Sequence, residues 1–159
     1  MALAAGDKAP SFKIMTDEGE TISSSSLKGA PYIVYFYPKD DTSGSTKQAI
    51  AFSDNLKKFD KAGVRIIGVS KDSLESHAKF RKKHRLKLAL GSDPDIKMAD
   101  AWGVWGEKTL YGRKYMGMER ATFLVDAKGV IKNVWRKVKV AGHAEEVFAA
   151  AKSLGKSPV

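Results

Sequence analysis

The sequence has no cysteine among its 159 residues. Disulfides, thiolate metal sites and thiol catalysis are therefore excluded in the chain as it stands. It also lacks a run of about 18 or more apolar residues, so no transmembrane helix and no membrane partner are expected. Met1–Gly6 lacks a basic start followed by an apolar core, so no signal peptide is read there and the cytoplasm is the expected compartment. Histidine is scarce. His77, His84 and His143 share no metal-ligand spacing, and each reads as an unligated surface residue. No metal site and no cofactor are expected.

Acidic residues are outnumbered, 18 against 28 basic ones, which leaves a net charge of +10. Such an excess raises the question of a nucleic-acid partner. The densest basic run is Lys79-Phe80-Arg81-Lys82-Lys83-His84-Arg85-Leu86-Lys87. It lacks the exposed, interleaved aromatics that stack bases, and no zinc-finger or RNA-recognition motif accompanies it. It reads instead as the solvated face of a helix whose apolar side holds Leu74, Ala78 and Phe80. A nucleic-acid-binding protein stays as a minor alternative, whose mark would be retention on DNA that falls steeply with salt.

What is present is enough for one substantial core. Hydrophobic residues make up 43% of the chain and charged ones 29%, and no linker or repeat divides it, so residues 1–159 read as a single domain. The chain is organised around residues 35–46, Tyr-Phe-Tyr-Pro-Lys-Asp-Asp-Thr-Ser-Gly-Ser-Thr. The aromatic start reads as a buried strand, which Pro38 ends because it has no N–H for a ladder. A polar turn follows, and then Ala49, Phe52, Leu56 and Phe59 recur at helical spacing with Ser45 near the same face. The turn thus places Thr42, Ser43, Gly44 and Ser45 at a helix N-terminus, where free N–H groups and the dipole favour an anion. Helix capping alone accounts for such residues, with Ser45 and Gln48 spaced as a capping box. A nucleophile site is the competing reading.

In chain order, Ala9–Met15 alternates like an edge strand and turns into a hairpin at Asp17–Glu20. Ser23–Ser26 is a polar link. Tyr32–Tyr37 is the first core strand, and one long helix is predicted from Ser45 to Lys61, closed by Gly63. Arg65–Ser70 is a core strand, Ser73 caps a helix from Leu74 to about His84, and Leu86–Leu90 is a further strand. A short helix lies around Ile96–Trp102, followed by a glycine-punctuated segment, Gly103–Gly117. Ala121–Asp126 and Val130–Trp135 form a hairpin, and Gly142–Leu154 is the last helix. Strands alternating with helices and ending in an antiparallel hairpin argue for an α/β fold, a mixed sheet with helices on both faces.

The arrangement of Pro38, Thr42 and position 45 resembles the peroxiredoxin signature of proline, three residues, threonine, two residues, then the reactive cysteine. Tyr-Pro-Lys-Asp-Asp-Thr before it resembles the branch called bacterioferritin comigratory protein, or peroxiredoxin Q. Gly103–Lys108, Tyr111-Gly112, Arg120–Asp126 and Trp135–Ala144 extend the likeness, which covers about Gly6 to Leu154. The resemblance implies a thioredoxin-like fold with an N-terminal β-hairpin. It also implies a peroxidase that reduces hydrogen peroxide and organic hydroperoxides, with thioredoxin or another external thiol as reductant, in a monomer or weak dimer.

By the same resemblance, Arg120 matches the family's catalytic arginine, Thr42 orients the peroxide, Pro38 shields the nucleophile, and Gly44 lends backbone N–H to the substrate. The reactive position itself holds Ser45. A serine hydroxyl is far from ionised at neutral pH and has no sulfur oxidation ladder, so the chain as written is expected to be inactive. Two origins fit, an introduced Cys→Ser change or a naturally non-catalytic binding protein on the same fold; the intact remainder of the motif favours the first. The branch's resolving cysteine, where present, falls at positions matching Ile50 and Arg81. Neither is a conservative replacement for cysteine, so no resolving residue is expected.

Overall fold

The computed structural model describes residues 3–155; Met1, Ala2 and the last four positions, which include both ends of the expected domain and the start of the Met1–Gly6 stretch, lie outside the described residues. The fold is α/β, with a seven-stranded mixed sheet in the order β2-β1-β5-β4-β3-β8-β9. Its centre is β3, Tyr32–Phe36, a run of five buried residues. Alternation sends Val34 and Phe36 to one face and Ile33 and Tyr35 to the other, so one short strand serves two cores. β4, Arg65–Ser70, lies parallel to it, and β8, Ala121–Val125, lies antiparallel on the other side. β9, Ile131–Trp135, completes the expected hairpin with β8.

The helices flank both faces. α1, Ser43–Asp54, α2, Leu56–Lys61, α3, Leu74–His84, and α5, His143–Gly155, lie with the core that holds Ile33 and Tyr35. α4, Lys97–Ala101, covers the other face, where Trp102 packs edge-on against Phe12 and Phe123. No described helix is long and apolar enough to cross a membrane.

Several expectations need correcting. The single helix to Lys61 is broken at Asn55, whose φ of −97° and ψ of 3° leave the helical region while its side chain donates to the Ala51 carbonyl at 2.7 Å. β1, Lys13–Thr16, is not an edge strand. It lies between β2, Thr21–Ser23, and β5, Ala89–Ser92. Gly91 permits this contact, because a Cβ there would collide with Ile14 Cδ1.

The strand expected at Leu86–Leu90 starts only at Ala89. Arg81 accounts for the shift, since its guanidinium takes the carbonyls of Leu86 and Leu88 at 2.9 and 2.7 Å. Arg81 also holds Asp17 through two bonds of 2.6 and 2.9 Å, so the basic run is not wholly solvated. On that helix Ala78 is exposed, and His77 with Phe80 forms the buried face. The glycine-punctuated segment Gly103–Gly117, for which the sequence predicts no element, is regular. It contains a two-stranded ribbon, β6, Trp105–Leu110, and β7, Arg113–Met118, joined by Tyr111 and Gly112 with φ of 50° and 77°. Two successive positive φ values suit a tight hairpin turn.

Candidate active site

The site begins where β3 runs out. Tyr37 is buried, Pro38 is half-buried, and the chain then turns through Asp40 and Asp41. Asp41 takes a left-handed conformation with φ of 61°, which costs a residue with a Cβ some energy. That twist sends the Asp40 side chain inward and presents Thr42 as the cap of α1. Thr42, not Ser45, is the N-cap: with φ of −80° and ψ of 159°, its Oγ1 accepts from the Ser45 N–H at 3.4 Å. Its carbonyl already accepts the Thr46 N–H at 2.8 Å. The capping box expected from Ser45 to Gln48 is therefore absent, because the helix starts three residues earlier. Ser45 sits inside the first turn, 1% exposed, beside first-turn N–H groups that have no intrahelical acceptor.

Arg120 reaches this turn from the start of β8, a separation of 75 residues from Ser45. The β3–β8 ladder sets the approach, since it pairs Phe36 with Ala121. Beside it, Glu119 is gripped by Arg136 through bonds of 3.0 and 2.9 Å, and the Arg120 carbonyl accepts the Val138 N–H at 2.9 Å. Arg120 Nη2 then donates to Ser45 Oγ at 3.2 Å and Nη1 to Gln48 Oε1 at 2.7 Å. Gly44 leaves room for it: a Cβ there would lie 3.2 Å from Nη2. Burial pulls the guanidinium below its ordinary range, opposed by the Tyr35 phenol, and no carboxylate contributes. Arginine nevertheless stays charged. Lys108, which donates to the Met118 carbonyl at 2.6 Å, is also pulled down, by burial and then by the charge of Arg120. Among the described residues four buried side-chain polar atoms have no partner, Gln48 Nε2 and the Tyr35 hydroxyl beside this turn, and Arg136 Nη1 and Trp102 Nε1.

On the opposite side of the turn the polar groups are matched. Asp40 Oδ1 accepts from the Tyr37 hydroxyl at 2.6 Å, and Oδ2 from Ser76 at 2.8 Å and from His77 Nδ1 at 2.7 Å. The Asp40 N–H donates to Asp72 at 2.8 Å, and Asp72 also accepts from Ser70 at 2.7 Å. His77, expected on the surface, is fully buried. His143 is also buried, and its Nε2 meets Thr122 Oγ1 at 2.8 Å. Periodicity could have found His77, which lies three residues from both Leu74 and Phe80 on the inward face.

The two rings titrate in opposite directions. For His77, burial favours the neutral form, but the hydrogen bond and charge of Asp40 outweigh it and the pKa is raised. For Asp40, burial pushes upward and the bonds from His77 and Tyr37 prevail, so its pKa is lowered. For His143, burial dominates and the pKa is lowered. The His77 contribution to stability is therefore full below about pH 6.5 and is lost as pH rises through its folded pKa. That of His143 is full above about pH 6.5 and is lost as pH falls. That of Asp40 is present above about pH 3.9 and is lost on further acidification.

Asp40, Asp72 and His77 bring possible ligand atoms within 4.8 Å of one another. Their donors and acceptors already satisfy one another, so the cluster reads as a hydrogen-bond network. The other predicted positions separate. Ile50 lies half-buried on α1, while the Arg81 guanidinium is committed to Asp17 and the Leu86 and Leu88 carbonyls. A groove of about 570 Å³ between the β6–β7 ribbon and Arg136 includes Glu119 but not Ser45, Thr42 or Arg120. The geometry at Ser45, rather than a deep cavity, marks the site. A nucleophile there would stand at a helix N-terminus, under a cation with no carboxylate partner.

The AhpC/TSA family model matches residues 5–134. A putative peroxiredoxin Bcp of Coxiella burnetii is 50% identical over 147 residues, 92% of this chain and 97% of that one. Peroxiredoxin Bcp of Bacillus subtilis is 44% identical over 97% of this chain and 98% of its own. Among solved structures, the bacterioferritin comigratory protein of Xanthomonas campestris, described for its alkyl peroxide reduction activity, superposes with a TM-score of 0.87. It is 42% identical, covering 91% of this chain and 92% of its own. A cysteine-to-serine mutant of Xylella fastidiosa PrxQ superposes with a TM-score of 0.90 at 34% identity, covering 96% of this chain and 98% of its own.

Proposed function

This chain belongs to the AhpC/TSA family, among the peroxiredoxins named Bcp or PrxQ, and we propose that position 45 is the place of its peroxide-reducing thiolate. The reading rests above all on one contact, the 3.2 Å bond from Arg120 to Ser45 Oγ in the first turn of α1. A cysteine sulfur there is held as thiolate by the helix N-terminus and by Arg120, both of which lower a thiol pKa. The thiolate attacks one oxygen of R–O–O–H, the O–O bond breaks, and the departing alkoxide or hydroxide takes a proton from water. Sulfur is oxidised to sulfenic acid and the peroxide is reduced. An external thiol condenses with the sulfenic acid, releasing water, and a second thiol reduces the mixed disulfide.

Thr42 orients the peroxide through its hydroxyl, and Pro38 shields the sulfur. Arg120 and the first-turn N–H groups near Gly44 receive the charge that grows on the leaving oxygen. With Ser45 in place the pocket is complete and the reaction cannot start. The intact pocket favours a Cys→Ser replacement in an active parent. The reading carries with it a single domain over residues 1–159, a hydroperoxide substrate and thioredoxin or another thiol as reductant. A monomer or weak dimer, working in the cytoplasm, completes it.

The test is Ser45→Cys. Peroxide consumption with reduced thioredoxin or dithiothreitol should appear in the variant and be absent from the chain as written. A folded variant that consumes no peroxide would falsify the assignment.

A further inference from the structure

Peroxide chemistry at position 45 engages the Arg120 side of the turn and leaves the α3 side unused. Yet α3 holds the turn at two consecutive residues. Inside, Asp40 is bound by His77 and Ser76; outside, Asp41 accepts from Lys83 at 2.7 Å and meets His84 Nε2 at 2.8 Å. Both nitrogens of His77 face oxygens, Asp40 Oδ2 at 2.7 Å and the Gly91 carbonyl at 2.9 Å. A neutral imidazole has one N–H and one lone pair, so either tautomer would set a lone pair against an oxygen. With the Asp40 carboxylate ionised, the state its surroundings favour, the ring fits only as imidazolium, in an ion pair whose side chains are 0% and 4% exposed. The titratable groups facing it are Asp40 and Tyr37 from the turn and the end of β3, and Asp72 beyond β4. β5 contributes only the Gly91 carbonyl.

Buried ion pairs are poor sources of net stability, since desolvation offsets their attraction. This one lies two residues before the cap of α1. We propose that the His77–Asp40 ion pair is the positioning device of the turn, with His77 as a positioning residue that acts through Asp40 on Thr42 and position 45. The charged ring fixes the Asp40 carboxylate, Asp72 fixes its N–H, and the left-handed Asp41 then has one orientation in which to deliver Thr42. Loss of the ring's proton sets a lone pair against an oxygen and loosens the turn.

The inference rests on the reading of position 45 as the nucleophile, but its first tests do not. In the chain as written, nitrogen-15 NMR of the histidine rings should show His77 mainly as imidazolium at about pH 6.5, where an ordinary histidine is half charged. A mainly neutral ring overturns the proposal. Amide-exchange protection at Ser43–Thr46, corrected for intrinsic rates, should fall in step with the titration of His77. Protection that ignores that titration also overturns it.

In the Ser45→Cys protein, Asp40→Asn and His77→Gln should each move the pH profile of thiol alkylation upward and slow alkylation at pH 7 by about tenfold or more. Folded variants with an unchanged profile reduce the pair to a packing element and overturn the proposal. Should the variants not fold, the NMR and exchange measurements decide it. If Ser45→Cys alone consumes no peroxide, the functional reading fails, while those two measurements still stand or fall separately.

Discussion

On the α3 side of position 45 the polar groups are buried and matched: carboxylate to imidazolium, phenol and hydroxyl to carboxylate, backbone N–H to Asp72. On the β8 side they are buried and left over. Arg120 has donors but no acid, Gln48 Nε2 has no acceptor, and Lys108 is drawn down by its neighbour's charge. Charges that cancel hold a turn still and project little field. A cation without a carboxylate contributes little to stability and keeps its field for whatever anion arrives. In the proposed site the two flanks would thus divide the work, one fixing geometry and the other supplying charge.

The sharpest way to break this contrast is to remove one member from each flank and compare stability. His77→Ala, which strands the buried Asp40 carboxylate, should cost about 3–5 kcal/mol. Arg120→Met in the chain as written should cost less, about 1–3 kcal/mol, since it strands the buried Gln48 Oε1 acceptor but no buried charge. Denaturant unfolding of the two variants gives both numbers; equal losses would erase the contrast.

Activity should reverse the order. In the Ser45→Cys background, Arg120→Met should slow peroxide reduction by about 10²-fold, the scale for losing one positioned donor to a developing oxyanion. The alkylation profile should move to higher pH with it. An unchanged rate and profile would make Arg120 structural only.

The smallest effect concerns the caps. Thr42 accepts from Ser45 at 3.4 Å, while Ser73 accepts from Ser76 at 3.1 Å. Thr42→Ala should cost about 0.5 kcal/mol and Ser73→Ala about 1 kcal/mol. Thermal unfolding should rank them in that order; the reverse would mean that Thr42 holds the turn more firmly than its long bond suggests.

The sequence revealed most where one side chain type serves one purpose. The aromatic run at β3, the Ser73 cap and the β8–β9 hairpin all follow from local pattern. Arg120 and Ser45 meet across 75 residues, and only the family resemblance, not periodicity, brought them together in advance. The misses have physical causes. The β6–β7 ribbon exposes residues on both faces, including Leu110, Tyr111, Tyr115 and Met116, so it has no inward-outward alternation to read. The Leu86–Leu90 run is apolar enough for a strand, but Arg81 takes two of its carbonyls. His77 looked like a surface residue because its partner Asp40 lies 37 positions away.

The position of β1 has a consequence for how the chain is made. It joins the sheet only through β5, pairing Met15 with Ser92 and Thr16 with Gly91. On the ribosome, β1 and β2 emerge before β5, and their place in the sheet does not exist until β5 has followed them out. At about 5–20 residues per second that interval is roughly 4–15 s. Throughout it, Ile14 and Ile22, both buried in the finished fold, lack the β5 neighbour beside which their hairpin is housed. β1 and β2 are made before their neighbour and housed only after it.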